Sequence, residues 1–329
     1  MDGELTRRMF VRNSVLASAG AAMALGTDAG TQIARGAEAP ASSGPAPAKG
    51  TLPKGKVGNM EISRLILGGN LLSLYHHSRD QLYVHNLVRA YNTDAKIQET
   101  LALAESMGIN TMSGHSHPNI MKNLKTYREK HGGKMMWIIC PTADIEKPDE
   151  YDKGLRELVD AGTDAIYIWG VHTDQLVQKG KPELIGRAVE MAKAHGVPCG
   201  VGAHDLRVIQ ECEKRKVPTD FYIKTLHHHN YPTGPRPDEI KGPYNEYPGY
   251  WCSNPQETIE FFKTVEKPWM AFKVMAAGTI PAENAFKYVI ENGADFVLAG
   301  MFDFDVATDV KILNEILAAN PKRVRPWRA

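Results

Sequence analysis

Short runs of Ile, Val, Leu, Met and Ala alternate along this chain with longer stretches whose apolar residues recur at helical spacing. Runs that are apolar throughout fit strands buried on both faces of a parallel sheet, and the amphipathic stretches fit the helices that cover it. In order, the pattern predicts strands at Leu65–Gly69, Ile109–Met112, Met135–Cys140, Ala165–Gly170, Pro198–Val201, Phe221–Thr225, Met270–Met275 and Phe296–Leu298. Helices are predicted at Asp94–Met107, Ile120–Lys130, Glu150–Ala161, Pro182–His195, Leu206–Arg215, Pro255–Val265, Pro281–Asn292 and Ala307–Leu317. Eight strand–helix units in a row predict an α/β fold, a single (β/α)8 TIM barrel over residues 55–329. Gly58–Arg64 is expected to close its bottom. The connections Asn70–Thr93 and Pro232–Trp251, after the first and sixth strands, are long enough to be read as functional lids or rims.

The N-terminal residues stand apart from this pattern. Thr6-Arg7-Arg8-Met9-Phe10-Val11-Arg12 precedes an apolar, Ala-rich run, Val15–Gly26. The arrangement resembles a twin-arginine export signal, the plainer reading being a basic Ala-rich tail. The resemblance implies a signal over residues 1–39, a flexible linker over 40–54 and an exported, periplasmic protein. The apolar run is shorter than the ~20 residues a membrane span needs. A net charge of +1 gives no general attraction to nucleic acid, so the expected partner is a small molecule. Four cysteines without CxxC spacing imply no zinc knuckle or redox pair.

Candidate chemistry follows from where the histidines fall. Ten of the twelve lie just after predicted strands: His76, His77, His85, His115, His117, His172, His204, His227, His228 and His229. In a barrel those loops converge on one face, the face that carries the chemistry. His172, His204, His228 and His117 are candidate ligands for a divalent metal (Zn, Mn, Fe, Ni or Co). The alternative is that the imidazoles hydrogen-bond a polyhydroxylated substrate. His76, His77, Arg79, Asn110, Asp205 and Tyr231 are candidate substrate contacts, with Asp205 equally suited to capping the helix it precedes. Asp174, like Asp205, could instead orient an imidazole. Lys224 and Lys273 sit inside apolar strand segments, where desolvation disfavours the charged amine. Each is a candidate proton-transfer or Schiff-base group, or a member of a structural ion pair; parity puts lysines inside or outside, and the sequence leaves that open. Gly278 and Gly300 end the last two strands and would let backbone N–H groups approach a cofactor's anion, or simply allow close packing.

Several segments resemble the aldo/keto reductase superfamily over residues 55–318. They are Asn59–Gly68, Gly108-Ile109-Asn110-Thr111, Asp164–His172 and Gly200-Val201-Gly202. The resemblance implies the barrel fold and a site at its C-terminal face. By position His172 matches that family's catalytic histidine and His115 falls near its tyrosine acid, while Asn110 stands in place of its aspartate. The third strand ends Cys140-Pro141-Thr142, without the family's lysine, and no basic segment for an NADPH 2′-phosphate follows Gly300. The resemblance therefore supports the fold more than the family's reaction.

Together these readings predict an exported barrel enzyme acting on a small carbonyl or sugar-like substrate. A histidine-held metal would polarise an oxygen, and His172, His115, Lys273 or Lys224 would move the proton, as in a lyase, isomerase or epimerase; a metal-activated water would make it a hydrolase. The alternatives are an NAD(P)H-dependent oxidoreductase with a remodelled tetrad, and a sugar-binding barrel without activity.

Overall fold

The structure, a computed structural model, describes residues 51–240 and 251–329. The expected export segment, most of the linker and residues 241–250 of the second long connection lie outside the described residues. An antiparallel hairpin, β1 (Lys54–Val57) and β2 (Met60–Ser63), opens the described chain. There follow β3 (Leu65–Gly68), α1 (Leu82–Tyr91), α2 (Asp94–Ser106), β4 (Thr111–His115), α3 (Pro118–His131), β5 (Met136–Cys140) and α4 (Pro148–Asp160). The next elements are β6 (Ala165–Ile168), α5 (Gly170–Gln178), α6 (Glu183–Ala194), β7 (Cys199–Ala203), α7 (Leu206–Lys214) and β8 (Phe221–Thr225). The last are α8 (Pro255–Phe262), β9 (Trp269–Phe272), α9 (Ala282–Glu291), β10 (Phe296–Ala299) and α10 (Asp303–Ala318).

Strands β3 to β10 form one closed parallel barrel in chain order, sealed where β10 pairs with β3 (Val297 opposite Leu65). The expected (β/α)8 architecture is thus the observed one. Alternation along the strands sorts side chains into two apolar layers. Ile66, Ile138, Phe221, Ile223, Met270 and Phe296 fill the barrel interior. Tyr222, Trp269, Ala271 and Val297 face outward against the helices. Val57, Met60 and Ile62 of the hairpin join the inner layer, so the opening segment plugs the bottom as expected. All four cysteines are buried free thiols. Among the described residues no helix is long and apolar enough to cross a membrane.

Several elements differ from the sequence pattern, and some of the differences bear on the site. The long first connection contains the helix α1, with Leu82, Tyr83 and Leu87 exposed, so its apolar residues give no core-facing stripe to read. Strand β6 stops at Ile168 and α5 starts at Gly170, which moves His172 from a loop into a helix. Strand β9 stops at Phe272 because Lys273 takes a left-handed backbone, φ 56°.

The C-terminal tail is anchored by a charge. Arg325 is fully buried and meets the equally buried Asp295 at 2.7 Å, with further bonds to the carbonyls of Val265 (2.9 Å), Lys267 (2.6 Å) and Gly293 (3.0 Å). Asp295 also accepts from the Trp269 N–H at 2.9 Å, tying the tail to β9. Removing one partner of such a pair strands the other charge out of water. Arg325→Ala should therefore lower stability by about 3–5 kcal/mol, read as a shift in the urea unfolding midpoint.

Candidate active site

The C-terminal ends of the strands open onto one cleft of about 560 Å³. Its wall is built from Gly69 after β3, Ser113 and His115 on β4, Trp169 after β6, His204 after β7 and Lys273 after β9. Gly278 and Gly300 lie on it, as do His76, His77 and Arg79 from the first long connection.

His204 is positioned by a close backbone approach. A side chain on Gly202 would strike the Ile168 carbonyl oxygen at 2.9 Å and the Gly170 nitrogen at 3.0 Å, so only glycine lets the end of β6 lie against β7. That approach lets Thr173 Oγ1 donate to the Gly202 carbonyl at 2.6 Å and seats the next residue, Asp174, under β7. Asp174, fully buried, accepts backbone N–H groups from His204 (3.1 Å) and Asp205 (3.0 Å) and meets His204 Nδ1 at 2.7 Å. Burial pushes its carboxyl up to about 8, against the pull of those backbone donors and of Lys224. A desolvated carboxylate gains when the imidazole beside it becomes cationic, so the pair is set to take up one proton. Asp174 engages Nδ1, so Nε2 is the ring nitrogen turned away from that carboxylate.

Lys273 reaches the cleft by an unusual route. Met270 and Phe272 point inward, so alternation would send residue 273 outward. The left-handed turn at Lys273 instead holds its Nζ 5.3 Å from the Trp251 ring and 5.7 Å from that of Phe272. The His204 ring packs on the same Phe272, centroids 5.4 Å apart. An imidazole and an amine thus flank one aromatic side chain. Non-glycine residues in this backbone region carry strain, which concentrates at ligand clamps.

Beside them His77 packs on Trp251 (4.9 Å), and its Nε2 lies 3.4 Å from Asn70 Nδ2. Burial and then the charges of Lys273, His204, Arg79 and His76 hold its imidazole well below the usual range. His115 is driven by burial, and secondarily by His117, down to about 4, so it is neutral at pH 7. Tyr167 lines the same space, and burial keeps its phenol protonated.

The other expected site residues fall elsewhere. The metal-ligand set His117, His172, His204 and His228 is not assembled, and the described residues hold no group of three or more His, Cys, Asp or Glu side chains placed to bind a metal. His117 caps α3, accepting the Asn119 N–H at 3.3 Å. His172 sits in the first turn of α5 against Trp169 (4.9 Å), off the cleft. His228 turns away to Tyr288 of α9 (5.2 Å). Lys224 follows strand parity outward, to the Thr225 carbonyl (3.0 Å) and the Cys252 Sγ (3.9 Å). Asn110 precedes β4 and so lies at the barrel's other end, bonding the hairpin at Ser63 N (2.7 Å) and the Glu61 carbonyl (2.9 Å). Asp205 caps α7 and pairs with Arg207 (2.6 Å). Tyr231 packs against His227 (5.9 Å) outside the cleft. Sequence reasoning named Asp174 without pairing it to His204, and passed over Trp251, Tyr167 and Asp309 on the cleft wall. Only Tyr167 carried a signal, as a polar-tipped residue within a barrel strand.

No family model matches the chain, and no curated protein does. Solved structures do. A protein named as an aldo-keto reductase from Pseudomonas aeruginosa superposes with a TM-score of 0.55 at 15% identity, covering 82% of this chain and 98% of that one. An aldo-keto reductase from Bacillus halodurans gives 0.51 at 10% identity over 84% and 100%. A variant of Gox0644 crystallised with NADPH gives 0.51 at 12% identity over 82% and 92%. At these identities the likeness establishes the barrel fold shared with aldo-keto reductases.

The His227–His229 run proves to be an anchor for the cleft wall. His227 Nε2 accepts the backbone N–H groups of Trp251 (2.9 Å) and Cys252 (3.2 Å), and His229 Nε2 bonds the Cys252 carbonyl at 2.6 Å. Burial depresses His227 to about 3, far below the ordinary histidine value of about 6.5 reached on unfolding. A depressed histidine binds fewer protons folded than unfolded, so its stability is present above pH ~6.5 and lost as pH falls toward ~3. Stability should decline through that window, this residue contributing up to about 1.4 kcal/mol per pH unit. His227→Gln, which keeps an acceptor but cannot titrate, should flatten that decline in urea titrations run from neutral to acid pH.

Proposed function

We propose that this chain is a barrel enzyme that moves a proton on a small carbonyl- or hydroxyl-bearing substrate, as a lyase, isomerase or epimerase does. The observation that carries this reading is the buried Asp174–His204 contact opening on the cleft beside Lys273. In the ionised form of the pair, populated as pH rises toward 8, a substrate C–H or O–H proton passes to His204 Nε2, and the Asp174 carboxylate stabilises the imidazolium that forms. Negative charge developing on the adjoining oxygen is met by the Lys273 ammonium, a contact that strengthens as substrate displaces water from the cleft. His115 and the Tyr167 hydroxyl offer hydrogen bonds to neighbouring oxygens. The metal expected from the sequence has no three-residue ligand set among the described residues, so no step is assigned to one.

Hydride transfer is the second reading, favoured by the barrel shared with the reductases. An NADPH fits this cleft poorly. Near the ends of β9 and β10 the cleft carries Asp305 and Asp309, and Asp309 is pushed up to about 7 by burial and then by Asp305. Phosphates brought to that wall would meet carboxylates, and the cleft's arginine and lysine, Arg79 and Lys273, stand at the substrate side.

The test is deuterium uptake. Small hydroxy- and keto-sugars and their acids are incubated with the protein in D2O and followed by proton NMR. Exchange at one carbon is expected, falling roughly 10²–10⁴-fold in His204→Gln and in Asp174→Asn. Exchange unchanged by His204→Gln, or NADPH oxidation without any exchange, would overturn the proton-transfer reading.

A further inference from the structure

Helix α10 opens with acids, and most of them have a structural reason to be there. Asp303 and Asp305 fall in its first turn, where the partial positive charge of the helix end supports them. Asp303 is also paired, with the Tyr91 hydroxyl at 2.6 Å and the Lys96 ammonium at 3.2 Å. Asp305 accepts the Phe302 N–H at 3.3 Å and so caps the helix. Asp309 has no such role. It lies a full turn further on, where the effect of the helix end has faded, and it is 5% exposed.

Asp309 is also without partners. Among the described residues its carboxyl accepts no hydrogen bond and forms no ion pair, yet it lines the cleft together with Asp305. Lys96 of α2, the helix packed against α10, is already held by Glu99 (2.5 Å) as well as by Asp303. Leu71, Val84, Val88, Ala299 and Phe302 line the cleft too, and their side chains offer no donor. Burial, and then the charge of Asp305, push the Asp309 carboxyl up to about 7. Buried polar groups are ordinarily paired, and one left unpaired beside a like charge is costly.

We infer that the Asp305–Asp309 wall is a subsite for the ammonium group of a small organic amine, held between the two carboxylates. Residues four apart on a helix stand about 5–6 Å apart at Cβ, a span that one ammonium with three N–H donors bridges. A cation removes the repulsion between the two acids, whereas a neutral hydroxyl leaves it in place. A metal ion calls for more ligands than this wall supplies, since no third His, Cys, Asp or Glu joins the pair among the described residues. The subsite rests on α10 and not on the proton-transfer reading, so the two are tested apart.

The test is calorimetry on the full chain at neutral pH, with no reaction under way. The probes are propylamine, ethanolamine and D-glucosamine, set against propanol, ethylene glycol and D-glucose, with calcium and magnesium chloride as further probes. At least one amine should bind about tenfold or more tighter than its neutral counterpart, and the advantage should shrink as salt is added. Asp309→Asn should weaken that amine about 10- to 100-fold. Asp305→Asn, which keeps an acceptor for the cap, should weaken it as well, while Glu157→Gln on the exposed face of α4 should not. Asp309→Asn relieves a buried repulsion, so its melting temperature should hold or rise, and weaker binding then reports a lost contact and not a lost fold. Equal binding of the neutral compounds, no binding of any amine, or amine binding untouched by Asp309→Asn would overturn the subsite. Calcium or magnesium binding in place of the amines would overturn it too. Deuterium exchange on neutral sugars with no amine binding would sink the subsite and leave the proton-transfer reading standing. Amine binding with no exchange on any substrate would do the reverse.

Discussion

Everything at the cleft depends on strand alternation inside a closed parallel sheet. Once β10 pairs with β3, each strand has one row of side chains committed to the interior and one to the helices, and no edge remains where a strand could shift. The two strand lysines show what this commitment does. Lys224 obeys it and is carried into the helix-facing layer, where Thr225 and Cys252 surround its ammonium. Lys273 escapes it because the strand ends one residue earlier and the backbone turns left-handed. A single dihedral therefore separates a packing lysine from one that reaches the cleft.

The same constraint explains how far the sequence could be read. Interior strands are apolar on both faces, so Met135–Cys140 and Phe221–Thr225 stand out as runs, and their count and order are visible without any structure. Loop convergence follows from that count, and His76, His77, Arg79, His115, His204 and Lys273 do line one cleft. Pairings across elements are not written in local patterns. Asp174 reaches His204 because Gly202 lets two strand ends touch, a contact between positions thirty residues apart. His172 looked like a strand-end residue because Trp169-Gly170-Val171 is as apolar as the strand before it, yet α5 begins there and carries it off the cleft. The second long connection showed its composition but not that its last residues, Trp251 and Cys252, would be fastened by His227 and His229.

Strain and burial are spent unevenly over the molecule. At the barrel bottom, Asp295 and Arg325 are buried together with their hydrogen bonds filled, so the charges there hold the chain end in place. At the top, Ala276 and Ala277 share the left-handed backbone of Lys273 within five residues, and each lies next to the cleft or on it. Rigid, fully bonded charge belongs to the bottom of the barrel, and strained backbone to the end that carries the cleft.

Histidine number is a poor guide to metal chemistry because an imidazole's role is set by its second nitrogen. His117 and His227 use ring nitrogens as acceptors for backbone N–H groups, and in the dry surroundings of His227 burial keeps it neutral. Neither has a carboxylate beside it. His204 does, and Asp174 is itself deprived of water, so burial raises its carboxyl to about 8 and favours a proton shared between the two. From the sequence these residues are alike, each a histidine after a barrel strand. What distinguishes His204 from a helix cap such as His117 is the carboxyl packed behind it, and in this barrel that carboxyl comes from the neighbouring βα unit, set in place by the glycines between them.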